Sequence, residues 1–138
     1  MSAGGDLPQG IGRLIEAAWA VRANAYAPYS RFAVGAAVLA GGRIFTGVNV
    51  ENASYPLGVC AERNAVAAAV TAGERVIEAV AVVAGEDEVT PPCGGCRQVL
   101  NEFGPDMLVV SESPSGARKI WRLSEILPDA FGPGALRS

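Results

Sequence analysis

Three cysteines and one glutamate carry the chemical interest of this chain. Cys60 and Glu62 sit in Cys60-Ala61-Glu62-Arg63, and Cys93 and Cys96 form a Cys-x-x-Cys pair in Pro92-Cys93-Gly94-Gly95-Cys96. The pair alone has three readings: a redox couple, a metal knuckle, or two buried thiols. Cys60 changes the weighing, because both cysteine segments open what reads as a helix. A helix start offers free N–H groups and the positive end of a dipole, which favour thiolate over thiol. Two such starts converging on one point would hold three thiolates around a divalent cation, and zinc suits a tetrahedral set of soft donors. Three protein ligands leave the fourth position for water, as in a catalytic site. A closed structural site would need a fourth Cys or His, and the chain has none.

The lack of histidine also removes Ser-His-Asp and Cys-His nucleophile systems. Acid–base work near neutral pH falls to a carboxylate, a thiol, Lys119 or a tyrosine. Alone, Glu62 would read as a first-turn surface carboxylate favoured by the dipole. Beside the ligand helices it reads as the proton carrier. Three thiolates on Zn²⁺ leave a net charge of about −1, so something must draw charge off the sulfurs. Arg63 is the expected donor. Arg97, next to Cys96, has two open readings, thiolate donor or solvated helix arginine.

The elements that must position these groups follow from periodicity. Apolar residues at helical spacing (Ile11, Leu14, Ile15, Ala18, Trp19) predict a helix from Ile11 to about Ala25, stopped by Pro28. Phe32–Leu39 and Arg43–Val50 read as strands joined by a Gly-bearing turn at Ala40-Gly41-Gly42. Residues 49–59 form a loop, and 60–71 a helix ended by Gly73. Val76–Ala84 is apolar and β-branched, as in a strand covered on both faces. A second short helix spans 94–103, followed by strands at 107–110 and 118–121, one helical turn at 123–127, and a loose tail after Phe131. The acidic Glu86-Asp87-Glu88 is solvated surface. Helices alternating with strands predict a three-layer α/β/α sandwich with a mixed central sheet.

With 138 residues, half of them apolar, the chain fits a single domain with its core at about 8–131. Net charge is −3 and the basic residues are scattered, which argues against a nucleic-acid partner and for a small uncharged substrate. No apolar run reaches a membrane span, and the first residues lack the pattern of a signal peptide. The expectation is a cytoplasmic protein with reduced thiols.

Cys60-Ala61-Glu62-Arg63 followed by Pro92-Cys93-Gly94-Gly95-Cys96-Arg97-Gln98 resembles the zinc nucleoside deaminases, specifically the short cytidine deaminases. Further blocks carry the likeness: Ala27-Pro28-Tyr29-Ser30-Arg31-Phe32, Gly47-Val48-Asn49-Val50-Glu51-Asn52-Ala53-Ser54-Tyr55, and Leu127-Pro128-Asp129-Ala130-Phe131. The resemblance implies one Zn²⁺ per chain on Cys60, Cys93 and Cys96, with Glu62 catalytic and Arg63 behind the ligands. It implies hydrolytic deamination of cytidine and 2′-deoxycytidine at C4, within pyrimidine salvage. Phe32 would pack on the pyrimidine and the Ala61 N–H would bond its carbonyl. Asn49 and Glu51 would hold the ribose 3′-hydroxyl, in a substrate loop that includes Ala53. Tyr55 and Phe131 would reach a neighbouring subunit's pocket, in a homotetramer whose active sites are completed across interfaces. The nearest alternative is a deaminase of a cytosine-bearing antibiotic such as blasticidin S. A closed, non-enzymatic zinc module is the other.

Overall fold

A computed structural model describes residues 10–85 and 87–137. The amino-terminal segment, including the first two residues of the expected core, and Glu86 of the acidic loop lie outside the described residues. Five strands form one sheet in the order β2-β1-β3-β4-β5. They are β1 (Val34–Ala40), β2 (Arg43–Val48), β3 (Ala79–Ala84), β4 (Leu108–Glu112) and β5 (Arg118–Arg122). Only β3 and β4 run parallel; the other neighbours are antiparallel, so the sheet is mixed.

Helix α1 (Ile11–Arg22) covers one face. Its Ile11, Leu14, Ile15 and Ala18 pack on Ala37, Ala79, Ala81, Val83 and Val110. Helices α2 (Ala61–Thr71), α3 (Gly94–Phe103) and the single turn α4 (Leu123–Ile126) cover the other. There Ala61, Ala65, Val66, Leu100 and Leu123 meet Ala36, Val38, Val80, Val82 and Val109. The period of two along β3 sends Val80, Val82 and Ala84 to one helix layer and Ala79, Ala81 and Val83 to the other. This is the expected three-layer sandwich.

Glycine sets how closely the layers approach. A Cβ on Gly35 would lie 2.1 Å from the Ala18 carbonyl oxygen, and one on Gly47 2.4 Å from the Ala65 nitrogen and 2.5 Å from the Ala61 oxygen. Bare glycines thus let α1 rest on β1 and the first turns of α2 on β2. Gly41 and Gly42 close the β1–β2 hairpin with φ of 59° and 75°, the pair of positive angles that a two-residue turn of this twist requires.

Several boundaries differ from expectation. Helix α1 ends at Arg22, because the Asn24 and Ala25 N–H groups turn back to Val21 and Arg22 carbonyls. β1 begins at Val34, since the Asn49 side chain engages Phe32 and Val34 in place of a strand partner. β2 stops at Val48; beyond it Val50 makes isolated bridges with Tyr26 and Val59. β3 begins at Ala79, because the Ile77 N–H is taken by the Phe103 carbonyl and Val76 points to solvent. β4 and β5 each run beyond their expected ends, to Glu112 and Arg122. The tail is not simply loose: Gly134–Arg137 form a short helical turn, α5.

Candidate active site

Cys60 caps α2 and Cys93 caps α3, each in extended conformation, so each leads its chain into a helix start. Cys96 lies in the first turn of α3 and is fully buried. Gly47 beneath α2, and the bond from Asn64 Nδ2 to the Val48 carbonyl (2.8 Å), fix α2 on the edge of β2. The bridge of Val50 to Val59 delivers the chain into Cys60. The three sulfurs, 33 and 36 residues apart from first to second and first to third, lie within 4.8 Å of one another.

Their electrostatics are those of a cation-binding set. Hydrogen bonding from Cys96, then from Cys93, with Arg63 nearby, lowers the Cys60 thiol to about 6 against the cost of burial. Cys96 is driven the other way by its bond with Cys60, by burial and by Glu62, so Cys60 ionises first. Arg63 is held firmly charged, chiefly by its bond with Cys96. Its Nε is buried and has no partner among the described residues. An orphaned cationic donor close to three sulfurs fits a thiolate set that carries negative charge. Gly95, lacking a side chain, leaves room for the same guanidinium, whose Nη2 would be 2.5 Å from a Cβ there. The donor set of Cys60, Cys93 and Cys96 fits zinc.

Glu62, in the first turn of α2, is 5 % exposed. Burial raises its carboxyl to about 7, helped by the charge on Cys60 and opposed by its own backbone N–H, Cys96 and Arg63. A carboxyl near 7 can hold or release a proton at neutral pH. Glu62 lines a cavity of about 200 Å³ with Phe32, Asn49, Cys60, Ala61 and Cys93, and with Val34, Val82, Thr90 and Pro91. The last four escape sequence reasoning: nothing in an apolar strand residue or a proline marks it as a cavity wall. Ala61 is the first residue of α2, so no turn precedes it to accept its N–H within the helix.

Of the remaining expected residues, only Asn49 shares this cavity. The Asn49 side chain reaches the cavity but is already used, accepting from the Val34 N–H (2.9 Å) and donating to the Phe32 carbonyl (2.7 Å). Glu51 and Tyr55 line a second, outer cavity of about 340 Å³ with Tyr29, Ser30, Asn52 and Gly58. The Glu51 carboxylate accepts from the Ser30 hydroxyl and from the Tyr29 and Ser30 N–H groups, which hold it below the usual carboxylate range. Ala53 is exposed and lines neither cavity. Phe131 lines a further cavity with Gln98, Glu102, Pro133 and Leu136, and is 61 % exposed.

Arg97 resolves its open reading in neither direction. Its Nε donates to the Pro92 carbonyl and its Nη1 to the Ile126 carbonyl, both at 2.8 Å. It is committed to backbone rather than to sulfur or solvent.

Three sulfur donors gathered beside a buried carboxyl give this α/β/α protein the site of a zinc hydrolase. The family model described as the cytidine and deoxycytidylate deaminase zinc-binding region matches residues 9–112. A cytidine deaminase of Halalkalibacterium halodurans is 48% identical over 120 residues, covering 86% of this chain and 91% of the relative. One of Mycobacterium tuberculosis is 51% identical over 111 residues, 80% of each. The crystal structure of cytidine deaminase from Burkholderia pseudomallei superposes with a TM-score of 0.84 at 48% identity, covering 87% of this chain and 98% of that one. The chain belongs to the cytidine and deoxycytidylate deaminase family. These relatives are named for cytidine, which does not favour the antibiotic-deaminase alternative.

Proposed function

We propose that this chain catalyses zinc-dependent hydrolytic deamination of cytidine and 2′-deoxycytidine, giving uridine or 2′-deoxyuridine and ammonia. The observation that carries the reading is the Cys60, Cys93 and Cys96 cluster opening beside a buried Glu62, on a chain whose relatives are cytidine deaminases. Zinc, when bound, supplies a Lewis acid that makes water nucleophilic near neutral pH.

The chain's own residues do the rest. Glu62 takes a proton from the attacking water and gives it to N3 of the pyrimidine; it then takes the proton of the new C4 hydroxyl and passes it to the amino group, which leaves as ammonia while C4=O forms. Its raised carboxyl suits both directions of transfer. The Ala61 N–H meets the base carbonyl, and Phe32 packs on the ring at the cavity wall. Asn49 keeps one N–H and one lone pair beyond its two backbone bonds, and Glu51 keeps one lone pair on Oε2 beyond its three; each is enough to meet a sugar hydroxyl. Arg63 offsets the charge of the three sulfurs.

The assembly belongs to the same proposal. Tyr55, Leu57 and Phe131 are 76 %, 65 % and 61 % exposed, which favours burial against other copies in a homotetramer. Tyr55 and Phe131 would then complete a neighbour's pocket, with Ala53 in the loop that meets it. No helix among the described residues is long and apolar enough to cross a membrane. A cytoplasmic role in pyrimidine salvage belongs to the same proposal.

The decisive test is an ultraviolet assay of the purified protein on cytidine. Turnover should vanish when a chelator strips the metal and return with one equivalent of zinc per chain. Zinc-loaded protein that leaves cytidine and deoxycytidine untouched would sink the reading.

A further inference from the structure

Arg97 stands directly after a zinc ligand, yet its guanidinium turns away from sulfur and joins two other segments. Nε bonds the carbonyl of Pro92, the residue before ligand Cys93. Nη1 bonds the carbonyl of Ile126, where α4 ends and the carboxy-terminal arm begins. The next residue continues the seam: Gln98 Nε2 donates to the Phe131 carbonyl at 2.7 Å. One helix turn thus grips the arm at two points five residues apart.

The Pro92 ring is fully buried, but the ligand loop has few other polar holds. Pro91 and Pro92 have no N–H to donate. Thr90 N–H bonds Ser111 Oγ at 2.8 Å, and the Cys93 carbonyl accepts from the Arg97 N–H at 2.9 Å as α3 begins. Between those points the Pro92 carbonyl is the loop's polar anchor, and Arg97 supplies it. Cys93 is exposed, so packing does little to fix its sulfur. A planar guanidinium can bond two carbonyls at once, which an ammonium at the end of a flexible stem does poorly.

We infer that Arg97 is a positioning residue that ties the Cys93 ligand loop to the carboxy-terminal arm, so that zinc retention and arm docking support each other. The inference rests on the zinc reading proposed above and adds a linkage to it. An arm docked on Arg97 holds Cys93 ready for the metal. By reciprocity a bound metal holds the arm, and with it Phe131.

The test uses the full chain, zinc-loaded and zinc-stripped. Amide hydrogen exchange is followed over residues 123–134, and zinc affinity is measured by competition with a chromophoric chelator. In the unaltered chain, stripping zinc should speed exchange in the arm. Arg97→Lys keeps the charge but loses the bridge. It should exchange fast in the arm with or without metal, and hold zinc about tenfold more weakly. Gln98→Ala, on the exposed side of α3, is the companion variant should Arg97→Lys not fold. It should loosen the arm and weaken zinc by a smaller factor. The linkage is overturned if arm exchange in the unaltered chain ignores zinc, or if Gln98→Ala frees the arm while zinc affinity stays put. It also fails if Arg97→Lys holds zinc as tightly as the unaltered chain. An unaltered chain that takes up no zinc would instead overturn the deaminase reading.

Discussion

The two halves of the site are built differently. The metal half, Cys60, Glu62, Arg63, Cys93 and Cys96, rests on two helix starts, and that of α2 sits directly on the sheet at Gly47. The half proposed to bind substrate, Glu51, Ala53, Tyr55 and Phe131, lies on loops and an arm where Tyr55 and Phe131 are largely exposed. The first half is finished within one chain. The second presents surface with nothing yet packed on it. Bond-making chemistry tolerates little positional error, and a rigid scaffold supplies that accuracy; recognition can be assembled later from exposed parts.

The largest expected effect strikes the finished half. Glu62→Gln removes the proton carrier while keeping its shape, and turnover should fall about 10³-fold. Zinc content measured by atomic absorption should stay at one per chain, and its loss would make Glu62 a ligand instead. Gly47→Val comes next. Its side chain would push directly into the backbone of α2, and thermal or urea unfolding should show a loss of about 3 kcal/mol. An unaltered midpoint would mean that the layers can part at no cost, contrary to the contrast drawn here.

The open half should respond in binding rather than chemistry. Phe131→Ala should raise KM about tenfold, the scale of one aromatic side chain's burial, with a smaller fall in kcat. A fully active monomer in gel filtration would break the idea that neighbours complete the pocket. The smallest effect is expected at the seam between the halves. Asn64→Ala loses its bond to the Val48 carbonyl and should cost about 1 kcal/mol, read from the unfolding midpoint.

The same contrast explains what could be read in advance. Period-two and helical patterning disclose α1, β3 and the layer order, because burial on two faces leaves its mark on residue type. The three cysteines and Glu62 are legible because few chemistries use such residues, and the lack of histidine narrowed them further. Segment ends were less legible. Val76 and Phe32 have strand-like side chains, but their neighbours' backbone groups are claimed by Phe103 and Asn49, partners distant in sequence. The cavity walls Val34, Val82 and Thr90 look like any other strand or loop residue. Arg97 was visible as a residue near sulfur, but its direction depended on where Ile126 would fall. The tail's turn at Gly134–Arg137 contains two glycine or alanine positions with little patterning to announce it.

The seat of α2 on Gly47 has a consequence for anyone who would re-tailor this scaffold. The helix that carries Glu62 cannot shift on β2 to enlarge the cavity without disturbing this seat, since even one methyl group on Gly47 meets main chain. Room for a new substrate has to come from the side walls, at Phe32, Val34 or the Thr90-Pro91 rim, or from the loops beyond. Variation in what is accepted and constancy in what is done to it are thereby assigned to separate parts of one small molecule.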